Sequence, residues 1–437
     1  MPSAPIFVSL LRIPRRFSRH ISGIEMVLAI RILAGLLLSW ILVVSHWTSH
    51  SLVRVTMLNG TEVSMFPWLR LTAWNESSLV AVEHDLQHSH WREASCRPLE
   101  VLHMAFSQIR SSAFLSDCLA AFRRYPAIAA FAGAATLVAA TAIANRHFAE
   151  KAQRDNPPQG RFLDVDGVRL HYVERGNGRP LVLFHGNGSM IQDFESSGLI
   201  DLAAENYRVI VFDRPGFGHS LRPRNVVWTP EAQADLFRKA FDGLGVQRAI
   251  VLGHSWGASV AVALAIRHPS FVEALVLASG YYFPTARADA VASSLSATPA
   301  LGDIISYTVS PILGRLMWPA MLRKVFGPQP VPGKFAGFPK EMAVRPSQLR
   351  AGAAESTLMV PAAFASSKTY GELDMPTIIL AGEDDRLIDI DEQSARLHDE
   401  VKQSKLHRIA GAGHMIQQSA TRDLMAAIDE AAAETLH

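Results

Sequence analysis

The chain of 437 residues carries 42 Lys and Arg against 40 Asp and Glu, a near balance that leaves no electrostatic footprint for nucleic acid. It is 49% hydrophobic with a mean hydropathy of +0.13, high for a soluble enzyme, and long enough for two or three structural units. No internal repeat, phosphate-binding glycine loop or dinucleotide fingerprint is present, which excludes the common nucleotide-dependent classes.

Arg12, Arg15, Arg16 and Arg19 precede an apolar segment from Ile24 to Trp47 that is uninterrupted from Ile32 to Ser45. About twenty apolar residues suffice to cross a bilayer, and Arg31 near one end can snorkel, so this segment reads as a membrane helix. A cleaved signal peptide is the alternative, but the basic region is long and no clear small-x-small site follows. The next section holds Cys96 and Cys118, which pair only if it faces an oxidising compartment. It also holds the sequons at Asn59 and Asn75, and His84, His88 and His90 in no metal-ligand spacing.

A second apolar segment, Pro126 to Ala144, is dominated by alanine and flanked by Arg123, Arg124, Arg146, Lys151 and Arg154. It is a candidate second span, with a buried or interfacial helix as the alternative. Two spans return the following domain to the side of the N-terminus, and the basic flanks then favour the cytoplasm; one span reverses this. Residues 1–150 therefore read as an α-helical membrane-anchoring region with candidate spans at 24–47 and 126–144. The Pro- and Gly-containing stretch 151–160 reads as a linker into a domain over 161–437.

Within that domain Pro180–Phe184 is an early strand, left by His185-Gly186-Asn187-Gly188. The run Ala249–Leu252 enters Gly253-His254-Ser255-Trp256-Gly257, and a helix follows from Ala258 to His268, stopped at Pro269. A strand that turns into a helix at a serine between glycines lifts the hydroxyl above the sheet beside a helix N-terminus. Ser255 is thus the candidate nucleophile. Ala274–Ser279 is the next strand, and roughly ninety residues separate it from Thr377, too many for a plain connection. A helical cap over about 281–370 fills the gap. Its Tyr281, Tyr282, Phe283, Met317, Trp318, Met321, Phe326, Phe335 and Phe338 either form the cap's own core or line an apolar pocket.

The strand Thr377–Ala381 leads into Gly382-Glu383-Asp384-Asp385, and the short strand Leu406–Ile409 into a Gly-rich loop bearing His414. A serine hydroxyl needs an imidazole to take its proton and a carboxylate to fix that imidazole's tautomer, and the order Ser, Asp, His suits this elbow. Asp385 is the candidate acid, with Asp384 the near alternative; Asp389 reads as a helix cap and His407 as a structural or surface histidine. The backbone N–H groups of Asn187 and Trp256 are the candidate oxyanion donors, and the His185 side chain a brace for its loop.

From about Phe162 onward these motifs, with Asp213-Arg214-Pro215-Gly216-Phe217-Gly218-His219-Ser220, resemble the α/β-hydrolase fold family in its serine-nucleophile, esterase- and lipase-like branch. The resemblance implies an eight-stranded, mostly parallel sheet with helices on both faces, a candidate site at its C-terminal edge, and a structural turn at Asp213–Ser220. It implies no metal and no organic cofactor. The expected function is a membrane-bound hydrolase that cleaves an ester or related acyl bond of a small, lipophilic substrate. Serine at position 255 disfavours the epoxide- and haloalkane-cleaving relatives, which carry aspartate there. Lactonases, carbon–carbon bond hydrolases, aminopeptidases and cofactor-free haloperoxidases share the serine elbow, and a non-catalytic binding or scaffold protein on the same fold is the remaining alternative.

Overall fold

The computed structural model describes residues 123–286, 294–298 and 300–435, and four short strands before them. Those strands, β1 (Val53–Val55), β2 (Val63–Ser64), β3 (Leu69–Leu71) and β4 (Val82–Glu83), pair in the order β2-β3-β1-β4. The segment 24–47, both cysteines, both sequons and His84, His88 and His90 lie outside the described residues. The chain forms two compact units, 1–133 and 134–437.

The second unit is built on an eight-stranded sheet. Its strands are β5 (Arg161–Val165), β6 (Val168–Arg175), β7 (Arg179–Phe184), β8 (Tyr207–Phe212), β9 (Ala249–His254), β10 (Val272–Ala278), β11 (Thr377–Gly382) and β12 (Ser404–Ile409). They lie in the order β12-β11-β10-β9-β7-β8-β6-β5, and the six from β8 to β12 run parallel. In this sheet β6 alone runs the other way, pairing antiparallel with both β8 and β5. Both faces are covered, so the central strands are continuous apolar runs whose alternate residues enter opposite cores. Val182 and Phe184 of β7, Val251 of β9 and Leu275 and Leu277 of β10 enter one core. Leu181, Leu183, Ile250, Leu252, Ala274 and Val276 enter the other.

The first core is closed by α3 (Pro230–Gly243) and α4 (Trp256–Arg267), and the second by α2 (Ile191–Ser197) and α7 (Thr421–Glu434). Helix α3 starts cleanly because Thr229 Oγ1 accepts from Ala232 N at 3.2 Å and Pro230 supplies the fixed first-turn φ. Leu424, Ala427, Ile428 and Ala431 recur at helical spacing along the buried side of α7.

Between β10 and β11 the cap contributes α5 (Leu301–Phe326) and α6 (Pro346–Ser366). Its aromatic and methionine side chains divide. Tyr281, Tyr282 and Phe283 join the first core, Phe326, Phe335 and Phe338 form a separate cluster with Trp318 packed against it, and Met317 and Met321 face solvent.

The expected second span meets a correction. Residues 126–144 belong to α1 (Pro126–Asp155), and among the described residues no helix is long and apolar enough to cross a membrane. Alanine adds little to insertion, and α1 continues into the charged turns of Arg146–Asp155. Its Asn145 is buried and donates from Nδ2 to the carbonyls of Tyr307 and Thr308 at 3.0 and 2.9 Å. Pro311 has no N–H to give Tyr307 O, so Asn145 fills a gap in the α5 hydrogen-bond ladder. The expected linker is likewise helical as far as Asp155, ending where Pro157-Pro158 forbid further helix.

Candidate active site

At the exit of β9 the chain reverses into α4 at Ser255, whose φ of 54° and ψ of −122° are costly for a residue with a side chain, about 1–3 kcal/mol. The flanking glycines make this possible. A Cβ on Gly253 would sit 2.3 Å from Gly257 O, and one on Gly257 would sit 2.2 Å from Phe184 O. Gly186 in turn lets the loop after β7 pass close to the elbow, since a Cβ there would meet that of Ser255 at 3.0 Å.

Asp385 and His414 are brought together. The imidazole Nδ1 donates to Asp385 Oδ2 at 2.7 Å, which leaves Nε2 as the free basic nitrogen. Asp385 Oδ1 accepts from Leu387 N and Ile388 N at 2.7 and 3.0 Å. Burial works against the charge on Asp385, but the neighbouring His414 and these two amides hold its carboxyl below the usual carboxylate range. Asp384 is exposed, Asp389 caps the next helical turn through Asp391 N and Glu392 N, and His407 pairs at the surface with Glu430 at 2.7 Å.

Among the described residues no hydrogen bond joins Ser255 to His414; the approach of the two loops is set indirectly. His254, the residue before Ser255, donates from Nε2 to His414 O at 3.1 Å, and its ring is 5.0 Å from that of His414. Burial drives the His254 imidazole down to about 3, so it is a neutral strut. Helix α5 reaches the same loop, because Val325 O accepts from His414 N at 2.9 Å. Behind it, Gln417 and Gln418 donate to the fully buried Asp193, whose carboxyl burial pushes up.

Across the elbow, none of the turn and loop hydrogen bonds of the described residues is donated by the N–H of Asn187 or of Trp256. Two donors without acceptors beside a helix N-terminus suit a developing anion. The Asn187 side chain is tied to the cap, with Nδ2 donating to Gly352 O and Ser356 Oγ at 3.1 Å each. His185 braces the loop by donating from Nδ1 to Gly186 O and accepting from Arg214 N; burial holds it neutral, near 3.

Three groups here carried no functional reading in the sequence. Arg214 is fully buried, donates from Nε to His185 O and from Nη2 to Gly186 O, and forks onto Glu355 at 2.6 and 3.0 Å. Gln233 accepts from Arg214 Nη1 and donates to Glu355 Oε1. Arg214 was signalled only as the second of two charges, Asp213-Arg214, at the exit of an apolar strand; Glu355 sits in an alanine-rich helix and had no signal. Asp213 is structural, joined to His171 at 2.7 Å and accepting from Ile191 N and His219 N.

A cavity of about 610 Å³ opens beside the acid loop, lined by Tyr281, Thr285, Asp385, Leu387, Ile388 and Gln393 among others. Ser255 and His414 do not line it, so it is no substitute for the elbow as the place of chemistry.

Residues 179–420 match the family described as the alpha/beta hydrolase fold. Among curated proteins, the 2-hydroxymuconate semialdehyde hydrolase of Pseudomonas sp. (strain CF600) is 29% identical over 276 residues, covering 61% of this chain and 91% of that one. The 2-hydroxy-6-oxo-2,4-heptadienoate hydrolase of Pseudomonas putida F1 is 28% identical, covering 63% and 96%. Among solved structures, a thermophilic esterase from Thermogutta terrifontis aligns with a TM-score of 0.52 at 20% identity, covering 63% and 99%. At that identity the likeness speaks for the fold.

Proposed function

The chain belongs to the alpha/beta hydrolase fold family and is a hydrolase, and from that premise we propose that it cleaves an ester or related acyl bond through Ser255, His414 and Asp385. The observation that carries this reading is the Asp385–His414 bond at 2.7 Å, which presents Nε2 as base on a loop tethered to the residue next to Ser255. Ser255 Oγ attacks the acyl carbon and His414 takes its proton. The Asn187 and Trp256 amides receive the oxyanion, and His414 returns the proton to the leaving group. Water then enters by the same base and frees the acid.

Labelling with a fluorophosphonate probe tests this. The wild type is expected to label, while Ser255→Ala and His414→Ala lose labelling and about 10⁴- to 10⁶-fold in esterase turnover. A folded wild type that does not label would sink the proposal and leave a non-catalytic binding role.

The two Pseudomonas relatives, named for 2-hydroxymuconate semialdehyde and 2-hydroxy-6-oxo-2,4-heptadienoate, favour a second reading, a substrate like the latter dienoate handled by the same residues. Parallel assays of p-nitrophenyl esters of rising chain length and of such a dienoate separate the two; a larger kcat/KM on the dienoate decides for the second.

We also propose that Ile24–Trp47 anchors the chain in a membrane, which suits a lipophilic substrate. The cytoplasmic placement of the hydrolase depended on a second span at 126–144. With one span and Arg12–Arg19 held inside, the hydrolase lies on the opposite side from its N-terminus. Protease protection of a C-terminal tag in sealed membranes checks the side.

A further inference from the structure

Helix α5 is inside out. Its buried positions are Gly302, Ser306, Thr308, Pro311 and Phe326, mostly small or polar, and Ser306 Oγ is buried with no partner. Leu322 and Val325 near its end pack against the Phe326 cluster, but its earlier large aliphatic residues point away. Val309, Ile312, Leu313 and Leu316 recur at i, i+3, i+4 and i+7 with exposures of 49, 46, 48 and 72%, and Met317 and Met321 flank them. A row of this kind is the stripe by which a helix normally joins a core, yet among the described residues it stays about half or more open to solvent.

The charge on the helix says what covers it. From Ile304 to Phe326 there is no acidic residue, while Arg323 and Lys324 are exposed at the end of the stripe. The one acid of α5, Asp303, lies on a different side and is taken up by Arg224 and Arg350 at 2.9 and 2.8 Å. The neighbouring α1 repeats the inversion, with Asn145 inside and Phe148 outside, the latter beneath Arg315 at 5.3 Å.

We propose that this face of α5 lies in the plane of an anionic lipid bilayer, its aliphatic stripe among the acyl chains and Arg323 and Lys324 at the headgroups. A bilayer fits the observations better than a second protein chain. Pro311 and Pro319 interrupt the helix, and fluid acyl chains accept an irregular stripe that a protein partner would have to match side chain for side chain. The helix is too weakly apolar to span, which is what an interfacial helix requires. This proposal stands apart from the catalytic reading and from the N-terminal anchor. Because the last turn of α5 carries Val325, whose carbonyl holds His414 N, docking would seat the cap and the histidine loop against the surface that delivers an apolar substrate.

Simple co-sedimentation would not separate α5 from the 24–47 segment, so the test must report location. The full-length protein is mixed with vesicles of phosphatidylcholine, or of phosphatidylcholine with roughly one-third phosphatidylglycerol, each carrying a trace of lipid with a photoreactive group in the acyl chain. Adducts are mapped by mass spectrometry. Adducts are expected on the peptide bearing Val309–Met321, several-fold more with phosphatidylglycerol, and falling about tenfold in the Leu313→Glu, Leu316→Glu double variant. That variant should keep its activity on a soluble ester, since both positions face away from the fold. Vesicle-bound protein with adducts only outside α5 would overturn the proposal. So would a dimer in solution that the double variant dissolves without any α5 adduct, which would make a second copy the occupant.

Discussion

The two long helices of the cap lie against each other but have opposite relations to the rest of the molecule. Helix α6 spends its polar groups inward: Gln348 accepts from Gly218 N, Gly352 O and Ser356 Oγ accept from Asn187, and Glu355 is buried in the fork of Arg214. Helix α5 turns its polar groups inward with little to bond and, before its last turns, sends most of its aliphatics out. The difference teaches that the cap is not only a cover. One helix is part of the frame that holds the loop after β7, while the other is a surface awaiting a partner.

Removing Glu355 should break the comparison most sharply. In Glu355→Ala the Arg214 guanidinium is left buried and unpaired, which typically costs about 3–5 kcal/mol. Urea unfolding is expected to show that loss, with esterase activity falling as His185 and Gly186 lose their clamp. A loss below about 1 kcal/mol would mean that water reaches Arg214 and α6 is no frame at all.

Asn187→Ala keeps the proposed backbone donor and deletes only its tie to α6. The two lost hydrogen bonds are worth about 1–2 kcal/mol together. Turnover should fall about tenfold with KM little changed, because the donor is displaced only slightly. Unchanged kcat would separate the loop from the cap.

Acidity acts on the bonded side of the molecule and not on α5. Burial opposes a charge on His171, but its bonds to Asp213 and to Gln159 O raise its pKa above the ordinary 6.5. Its contribution is therefore complete below about pH 6.5 and is lost as pH rises through the higher folded value. Asp213, also opposed by burial but held down by His171, contributes above its ordinary 3.8 and loses that as pH falls through its lower folded value. Thermal unfolding across pH should show Tm declining on both sides of this window, and a His171→Gln variant should flatten the alkaline side.

The smallest effect is expected on α5. Leu316→Gln in detergent-free solution should change stability by no more than about 0.5 kcal/mol, as for other solvent-facing positions. A loss of about 2 kcal/mol or more in a denaturation curve would show that the stripe is already covered by protein.

Local sequence determined the central sheet, the elbow and the loops that carry Ser255, Asp385 and His414. Apolar runs ended by glycine, an acidic turn and a Gly-rich loop are each constrained by backbone sterics within a few residues. The helical insertion between β10 and β11 was legible from length alone. The alanine-rich segment at 126–144 was not, since its apolar composition suits a span, a buried helix or an interfacial one equally well. Only the tertiary structure decided that Asn145 docks it on α5, that His254 tethers the His414 loop, and that Arg214 and Glu355 meet across 141 residues. A buried charge or a strut is favourable only once its partner is in place, and no periodicity along the chain announces a partner that distant folding supplies.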